Sequence, residues 1–413
     1  MKILMLTPYL PYPLLSGGQI RTYNLLKQLS GQHEVTLFAL IKDYAEKQYI
    51  TQLKQFCSEV RVFKRSTHPF TVKNILKTAV SKYPFLVIRN HAPDMTSVIE
   101  EYLTTKQFDL IHAETFYMMP HLPKTKVPVL LVEQTIEYLG YESFANKVPS
   151  ILKPLLYFDI RKIRFWEQHY WNDCHKLIVM SADDKQLIAP LVNNPNKIEV
   201  VANGVDTNWF DQHPSQPNPQ PTVLFVGTFK WLPNKEAVNF LVSEIWPLII
   251  KQMPQAKLHI VGNAPSPEIL HLANNKPSVS VEGGIPDIRT AFSTSRVLIA
   301  PVLSGKGTRY KVLEALASGT AVVATPTAVE GLKVKAGIHV MIGTTAQELA
   351  NHTLDLLKHP DKQQRLAENG KRFVKKYYDW SLISGELDKI YQTMGQPSIH
   401  WIPAVARITN SGR

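Results

Sequence analysis

The sequence predicts an α/β protein of two units, each a parallel β-sheet covered by helices on both faces. Short β-branched runs alternate with helical patterns almost from end to end, which is typical of parallel sheets. The alternation breaks at a proline-rich segment within residues 206–221 and then restarts. The chain has 413 residues, which is enough for two domains of ordinary size.

Seven strands are expected in the first unit. The apolar run after Met1 is followed at once by Pro8, so it is too short for the core of a signal peptide and indicates a buried first strand. No run approaches the length that crosses a bilayer, and we expect a soluble or peripheral cytoplasmic protein. The predicted strands are Lys2–Thr7, Val35–Leu40, Glu59–Phe63, Asp109–Ala113, Val127–Val132, Leu177–Met180 and Ile198–Ala202.

The second unit follows a stiff connector, because residues 213–221 contain four prolines. We therefore place the domains at 1–205 and 222–377, with a linker at 206–221 and a patternless tail at 396–413. In two facing α/β units, the cleft between the carboxyl ends of the strands is the expected ligand site. The predicted strands of this unit are Thr222–Gly227, Lys257–Val261, Val279–Glu282, Val297–Ala300, Ala321–Ala324 and His339–Ile342.

Composition narrows the class of ligand. Hydrophobic residues make up 44% and charged residues 19%, as in an ordinary globular protein. Only Cys57 and Cys174 are present, which excludes a disulfide framework and a cysteine-rich metal site and indicates a reducing compartment. The formal net charge of +12 favours polyanions, anionic lipid or phosphorylated small molecules, and composition does not rank these three.

The segment from Ala300 to Thr320 predicts an anion site. A strand ends near Ala300, a glycine-containing loop follows, and a helix begins near Thr308 and ends at Gly319. Backbone N–H groups at a helix start attract anions, and glycines let a phosphate approach the backbone. The loop residues are Gly305, Lys306 and Gly307, and the added cations are Lys306, Arg309 and Lys311.

Other features of the sequence leave alternatives open. Glu314 suits a ribose diol beside phosphates, or an ion pair with Lys311. Gly17 and Gly18 precede a helix after the first strand, as a second anion-facing loop or as a simple tight turn. The basic and aromatic segment 151–175 fits a helix on a membrane surface, or a core-facing helix with solvated charges. The glycine spacing fits neither a dinucleotide fingerprint nor a P-loop, and no metal signature is present.

The block from Arg309 to Thr325 resembles the donor-binding helix of family 4 glycosyltransferases. The segment 201–206, Gly227, and Gly17-Gly18 match the family in the expected order, and residues 378–395 are similar to its C-terminal return helix on the first domain. The resemblance covers about residues 1–395 and implies the GT-B fold, with two Rossmann-like domains facing a central cleft. It also implies retention of configuration, no metal and no cofactor besides the nucleotide-sugar substrate.

The resemblance also implies residue roles. Glu314 would hold the donor ribose, the backbone of Gly305, Lys306, Gly307 and Thr308 would contact the diphosphate or the sugar, and Lys235 would bind the diphosphate. Gly18, beside Gly17, would approach the leaving phosphate. The donor-binding residues thus expected are Gly17, Gly18, Gly305, Lys306, Gly307, Thr308, Lys311 and Glu314, and the catalytic ones are Lys235, Arg309 and Gln134.

Three positions depart from the family pattern. Lys306 stands where a Glu is frequent, and Thr228 stands where an Arg is frequent, with Arg309 or Lys311 as the candidates to substitute. Gln134 stands where the family has a His that supports the reacting sugar, with Glu133, Glu137 or His112 as the candidates to compensate.

The expected function is transfer of a sugar from a nucleotide-diphosphate sugar to a hydroxyl acceptor, a polysaccharide or lipid-linked glycan. We expect no nucleic acid partner, and a peripheral position on the inner face of an anionic membrane. A silent nucleotide-sugar-binding protein and a nucleotide-sugar epimerase on the same fold are the alternatives.

Overall fold

A computed structural model of the protein describes residues 1–68, 70–146, 148–216, 218–274, 276–305 and 310–395. It contains two parallel sheets, with the strand orders β3-β2-β1-β4-β5-β6-β7 and β10-β9-β8-β11-β12-β13. Both are orders of doubly wound sheets, so the predicted α/β fold of two Rossmann-like domains is confirmed. The strands are β1 (Lys2–Thr7), β2 (Glu34–Ile41), β3 (Glu59–Lys64), β4 (Leu110–Glu114), β5 (Val129–Glu133), β6 (Lys176–Val179), β7 (Ile198–Val200), β8 (Thr222–Val226), β9 (Lys257–Val261), β10 (Val279–Glu282), β11 (Val297–Ala300), β12 (Ala321–Ala324) and β13 (Met341–Ile342).

Helices cover both faces of each sheet. Those of the first domain are α1 (Gly17–Leu29), α2 (Ile50–Lys54), α3 (Val72–Val80), α4 (Phe85–Asn90), α5 (Pro93–Thr105), α6 (Glu137–Ala145), α7 (Lys153–Asp173) and α8 (Ala182–Ile188). The following ones are α9 (Thr207–Asp211), α10 (Leu232–Phe240), α11 (Trp246–Gln252), α12 (Pro267–His271), α13 (Ile288–Ser293), α14 (Tyr310–Ser318), α15 (Ala346–Lys358), α16 (Pro360–Tyr377) and α17 (Trp380–Gly395). A π-helical turn, Leu241–Ile245, joins α10 to α11, and the 3₁₀ helices are Tyr44–Tyr49, Phe116–His121, Ser150–Leu152, Ala189–Leu191, Pro195–Lys197 and Pro326–Val329.

The central strands are buried on both faces, which explains why they were visible in the sequence. Every residue of β4, β5, β11 and β12 is buried, and in β1 only Lys2 is exposed. Such strands must be almost continuously apolar, because helices pack on both sides of the sheet. Each of the thirteen predicted strands is present, with its ends within two residues of the prediction.

The segment 206–221, predicted as a linker, contains the helix α9. Asp206 caps this helix by accepting a hydrogen bond of 2.9 Å from the backbone N–H of Trp209. Phe210 is buried in the core of the second domain. The local cap and this one apolar anchor therefore form a helical turn before the proline-rich stretch begins.

The chain returns to the first domain at its described C-terminal end. Asp379 pairs with Val205 next to the connector, and α17 then packs against α1. Trp380 and Tyr391 are buried in the core on this face of the first sheet. The predicted tail at 396–413 lies outside the described residues.

Within the described ranges, no helix is both long and apolar enough to cross a bilayer.

Candidate functional site

The N-termini of α1 and α14, from different domains, meet across the cleft. A side chain on Gly17 would place its Cβ 2.8 Å from Cε2 of Tyr310, so the close approach requires glycine. The Tyr310 hydroxyl donates a hydrogen bond of 2.9 Å to Oδ1 of Asn203, which also accepts one of 3.1 Å from buried Arg21. Asn203 therefore joins the first helix of one domain to α14 of the other.

Gly18 packs against two polar groups of the first domain. A Cβ there would lie 2.6 Å from the Tyr9 hydroxyl and 2.7 Å from Oε1 of Gln134, which follows β5. Only glycine leaves this space open. The structure thus brings together three predicted site residues, Gly17, Gly18 and Gln134.

A chain of buried hydrogen bonds holds Gln134 in place. Its Nε2 donates to the Tyr9 hydroxyl at 2.7 Å and to Oε2 of Glu114 at 2.6 Å. Oε1 of Glu114 lies 3.1 Å from Nε2 of His112. Nδ1 of His112 lies 2.5 Å from the hydroxyl of Tyr391 on α17. The chain therefore runs from the C-terminal helix to the glycines of α1.

The charge on Glu114 fixes the orientation of Gln134. Burial alone would raise the pKa of Glu114, but the hydrogen bond and charge of His112, the charge of Arg21 and the Gln134 hydrogen bond lower it. The ionised carboxylate only accepts hydrogen bonds, so Gln134 must present its NH₂ group to it. The amide oxygen of Gln134 consequently faces Gly18.

Glu314 and Lys311 lie on α14 at the carboxyl edge of the second sheet. Burial raises the pKa of half-buried Glu314 to about 7, against the opposing charge of Lys311. Lys311 donates a hydrogen bond of 2.9 Å to Oδ1 of Asn234, and its ammonium lies 4.5 Å from the centroid of the Phe225 ring. The second domain therefore offers a cation next to a carboxyl that titrates near neutral pH.

Lys235 lies in the first turn of α10, at the same edge. The neighbouring Asn234 donates a hydrogen bond of 2.9 Å from Nδ2 to the carbonyl of Thr228. The strands β8 and β11 that precede α10 and α14 are paired, and Ser304 donates a hydrogen bond of 2.7 Å to Glu236. Lys235 and Lys311 therefore lie near the N-termini of two neighbouring helices. Lys235 follows Asn234 in the sequence, and Lys311 contacts Asn234.

Part of the predicted anion loop is not described. Lys306, Gly307, Thr308 and Arg309 lie outside the described residues. Gly305 has a φ of 95°, in the left-handed region that favours glycine.

The three residues that could compensate for the missing family His at position 134 occupy different places. His112 reaches Gln134 through Glu114. Glu133 accepts a hydrogen bond from the indole N–H of Trp171, deep in the domain, and burial raises its pKa. Burial also raises the pKa of Glu137 to about 7, opposed by the charge of Arg89.

The sequence analysis missed the roles of Glu114 and Tyr391. His112 and Glu114 are two residues apart in an otherwise apolar strand, so they share a face, and that pattern was a usable signal. Tyr391 offered none, since its contact with His112 spans 279 residues. Across the part of the chain that the structure describes, no group of three or more His, Cys, Asp or Glu side chains could hold a metal ion.

Family models match both domains. Residues 15–209 match the model described as Glycosyltransferase Family 4, and residues 220–359 match the one described as Glycosyl transferases group 1. An uncharacterized 44.6 kDa protein in the cps region of Klebsiella pneumoniae is 24% identical over 406 residues, which cover 94% of this chain and 99% of that protein. A phosphatidyl-myo-inositol mannosyltransferase of Mycobacterium tuberculosis is 26% identical over 209 residues, 47% of this chain and 53% of the relative.

Solved structures share the two-domain architecture. A sucrose-phosphate synthase from Thermosynechococcus elongatus superposes with a TM-score of 0.73 at 17% identity, covering 95% of this chain and 99% of the other. HepE from Anabaena, in complex with UDP and glucose, superposes with a TM-score of 0.67 at 18% identity, covering 95% and 100%. Both likenesses show the GT-B fold.

Proposed function

The chain belongs to the family 4 glycosyltransferases and uses a nucleotide sugar as donor. We propose that it transfers the sugar to a hydroxyl group of a polysaccharide or lipid-linked glycan. We further propose that the transfer retains the anomeric configuration and needs no metal ion. The contact between Gly17 and Tyr310 carries the proposal, because it sets the starts of α1 and α14 opposite each other. A donor whose ribose is held by Glu314 would then direct its diphosphate towards Gly18.

The diphosphate needs positive partners when it leaves. Cleavage of the bond between sugar and phosphate builds negative charge on the leaving group, and fixed cations and N–H dipoles can offset it. We assign this role to Lys235, with Lys311 beside Asn234 as a second cation. The backbone of Gly305, Lys306, Gly307 and Thr308 and the side chain of Arg309 complete the proposed donor contacts.

Gln134 would act by position. Both amide hydrogens are engaged by Tyr9 and Glu114, which leaves Oε1 at Gly18 as an acceptor for a hydroxyl group of the donor sugar. An amide does not gain or lose a proton by titration near neutral pH. Gln134 would therefore orient the reacting sugar without serving as a general acid or base.

The donor and the chemistry are tested together. HepE binds UDP and glucose, so UDP-sugars are the first donors to test, beside GDP- and ADP-sugars. A fitting donor raises the melting temperature by mass action. We expect a shift that EDTA leaves unchanged, and transfer to an acceptor with the anomeric configuration retained in NMR spectra of the product. Inverted product or loss of turnover in EDTA would contradict the proposal.

The same assay separates the alternatives, which the comparisons do not favour. A silent binding protein would show the donor shift without turnover at any acceptor. An epimerase would convert the sugar of the donor with no acceptor present.

The proposal includes a peripheral position on the inner, cytoplasmic face of an anionic membrane. Helix α3 buries none of its residues, although five of its nine are apolar, and Lys73 and Lys77 are exposed beside them. The first half of α7 adjoins it, since Lys162, near the middle of α7, donates hydrogen bonds of 2.7 Å to the carbonyls of Thr78 and Ser81. The exposed apolar side chains of this surface, which we call the apolar face, are Phe70, Val72, Ile75, Leu76, Val80, Ile151, Leu155, Phe158 and Phe165.

The two predicted interpretations of the segment 151–175, a helix on a membrane surface and a helix facing the core, apply to different parts of α7. The first part of α7 exposes apolar residues, whereas Trp166, Tyr170 and Trp171 further along are buried in the core. Exposed apolar groups next to lysines are typical of binding to anionic lipid.

Vesicle sedimentation tests the membrane proposal. We expect L76E/V80E to lose binding to vesicles that contain phosphatidylglycerol, while L270E/L382E, at exposed positions outside the apolar face, keeps it. Equal binding of the two variants would overturn this part of the proposal.

A further inference from the structure

Positively charged side chains cluster where β2 and β3 end, away from the donor residues. Lys42 follows β2, Arg65 follows β3, and Arg89 lies on α4. Lys230 joins them from the loop after β8 of the second domain, since its charge acts on Lys42. The cluster therefore faces the cleft from the side of the first domain.

The side chains of both arginines are half-buried. The Nε atoms of Arg65 and Arg89 are both buried without a hydrogen-bond acceptor among the described residues. Burial and the charge of Arg89 lower the pKa of Arg65, and burial, followed by the charge of Arg65, lowers that of Lys42. The two half-buried arginines repel each other, and each has a buried Nε without an acceptor among the described residues, which favours binding of an anion from outside.

The acids and phenols around the cluster offset its positive charge only in part, since Glu46 is the one acid whose charge acts on both Lys42 and Arg65 among the described residues. Glu46 uses its carboxylate to accept hydrogen bonds from the backbone of Lys42 and Asp43. Glu137, beside Arg89, has a pKa of about 7 because of burial, so it is about half protonated at neutral pH. Burial also raises the pKa of the Tyr117 and Tyr141 hydroxyls, which face Arg89 and stay neutral.

The cluster lies between the apolar face and the cleft. Helix α4, which carries Arg89, begins at Phe85, whose ring stacks on exposed Phe70 at 5.1 Å between centroids. The backbone N–H of Phe85 is anchored by a hydrogen bond of 2.9 Å to Asp159 on α7. A molecule whose apolar part rests on the apolar face can thus extend a charged group to Arg89.

We propose that Arg65 and Arg89, with Lys42 and Lys230 beside them, bind a phosphate group of the acceptor. This inference rests on the proposed function and narrows its acceptor to a phosphorylated one. A phosphate carries up to two charges, and its oxygens match the forked donors of arginine. Such a group can belong to a lipid-linked glycan or to a soluble sugar phosphate.

Calorimetric titrations of the full chain with farnesyl phosphate, farnesol and inorganic phosphate test this site. We expect R65Q/R89Q to bind farnesyl phosphate at least about 30-fold more weakly than the wild type, because two charge-assisted contacts are lost. The control K124Q/K126Q removes two exposed charges before β5, at the amino ends of the strands and so opposite the cluster. Its affinity for farnesyl phosphate should stay within about twofold of the wild type. K235Q, in the proposed donor site, should also leave this binding unchanged.

The three probes distinguish the sources of the phosphate. Farnesyl phosphate binding more tightly than inorganic phosphate supports a lipid-linked acceptor, and equal binding of the two supports a soluble one. Farnesol binding as well as farnesyl phosphate, no binding of either phosphate by the wild type, or equal affinities for R65Q/R89Q and the wild type would overturn the inference.

Two further measurements distinguish a loss of phosphate binding from a folding defect and from a failure of the proposed function. The ligand-free R65Q/R89Q variant should melt no lower than the wild type, because the substitution removes the repulsion between the two charges, and the Nε atoms have no acceptor among the described residues. Donor shifts should be the same in R65Q/R89Q and the wild type. If no nucleotide sugar shifts the wild type, the proposed function fails, whereas the phosphate titrations still decide on the cluster.

Discussion

Donor binding should depend on pH through Glu314. Its pKa of about 7 means that the carboxyl is largely protonated at pH 6 and ionised at pH 8. A carboxylate accepts hydrogen bonds from both hydroxyl groups of a ribose, whereas a protonated carboxyl must donate one hydrogen itself. The donor therefore binds the ionised form, and the proton must leave first at low pH.

The size of the effect follows from the population of the ionised form. At pH 6 about one molecule in eleven carries ionised Glu314, and at pH 8 about nine in ten do, so donor affinity should rise roughly tenfold between these values. The phosphates of a nucleotide-diphosphate sugar are esterified and do not titrate in this range. The variant E314Q should bind more weakly than the wild type at pH 8, with an affinity that is flat in pH.

Stability should change in the opposite direction. Because the pKa of Glu314 is raised in the folded state, its favourable contribution is complete below the unfolded pKa of roughly 4.3 and is lost as pH rises to about 7. E314Q removes this loss, so at pH 8 it should be more stable than the wild type by about 1–3 kcal/mol, the partial exposure of the side chain reducing the upper value.

Calorimetric titration of the donor at pH 6, 7 and 8, with urea unfolding in the same buffers, measures both effects. A wild-type donor affinity that does not change with pH, or an E314Q variant whose affinity still rises tenfold, would refute the role of Glu314 as the ionised ribose acceptor. Lower stability of E314Q at pH 8 would refute the raised pKa.

Three further substitutions should have distinct effects. G262A should lower the free energy of unfolding by about 2–4 kcal/mol in urea titrations, because its Cβ would lie 1.8 Å from the carbonyl oxygen of Gly227, and wild-type-like stability would contradict this packing. Q134A should reduce kcat by about 10–100-fold with donor affinity within about twofold, and equal, small effects on rate and binding would exclude its positioning role. K235Q should weaken donor binding by about tenfold and make the affinity less dependent on salt. Titrations at two ionic strengths would measure this, and an unchanged salt dependence would place Lys235 away from the diphosphate.

The strands were predictable because their burial is two-sided. A strand such as β12 is apolar at each position, because helices cover both faces of the sheet. The helix after each strand returns the chain to the edge where the strands begin, so the alternation of strands and helices in the sequence indicates a parallel sheet. The glycines at the cleft were also visible, since Gly17-Gly18 begin the helix that follows the first strand. Their reason was not, because Tyr310, Tyr9 and Gln134 approach them from distant parts of the chain.

The remaining features depend on long-range contacts. Helix α9 forms in a segment predicted as a connector because Phe210 finds the core of the second domain. Arg65 and Arg89 lie on separate elements, and neither belongs to a motif, so their proximity appears only in the fold. Charge clusters assembled from several elements leave no periodic signal in a sequence.

The replacement of the family His by Gln134 becomes intelligible from the hydrogen bonds around it. The amide is fixed by Tyr9 after β1, by Glu114 and His112 on β4 and by Tyr391 on α17, so its position is set from three separate parts of the chain. An amide held so firmly can orient a sugar hydroxyl but cannot carry a proton. Under the proposed function, the proton of the acceptor hydroxyl must therefore go to another base, and the departing phosphate oxygen is the one that retention brings to the same face of the sugar. The Lys235 cation would stabilise the negative charge on that phosphate as the bond to the sugar breaks, so the donor side of the cleft would supply charge stabilisation and Gln134 the position of the sugar.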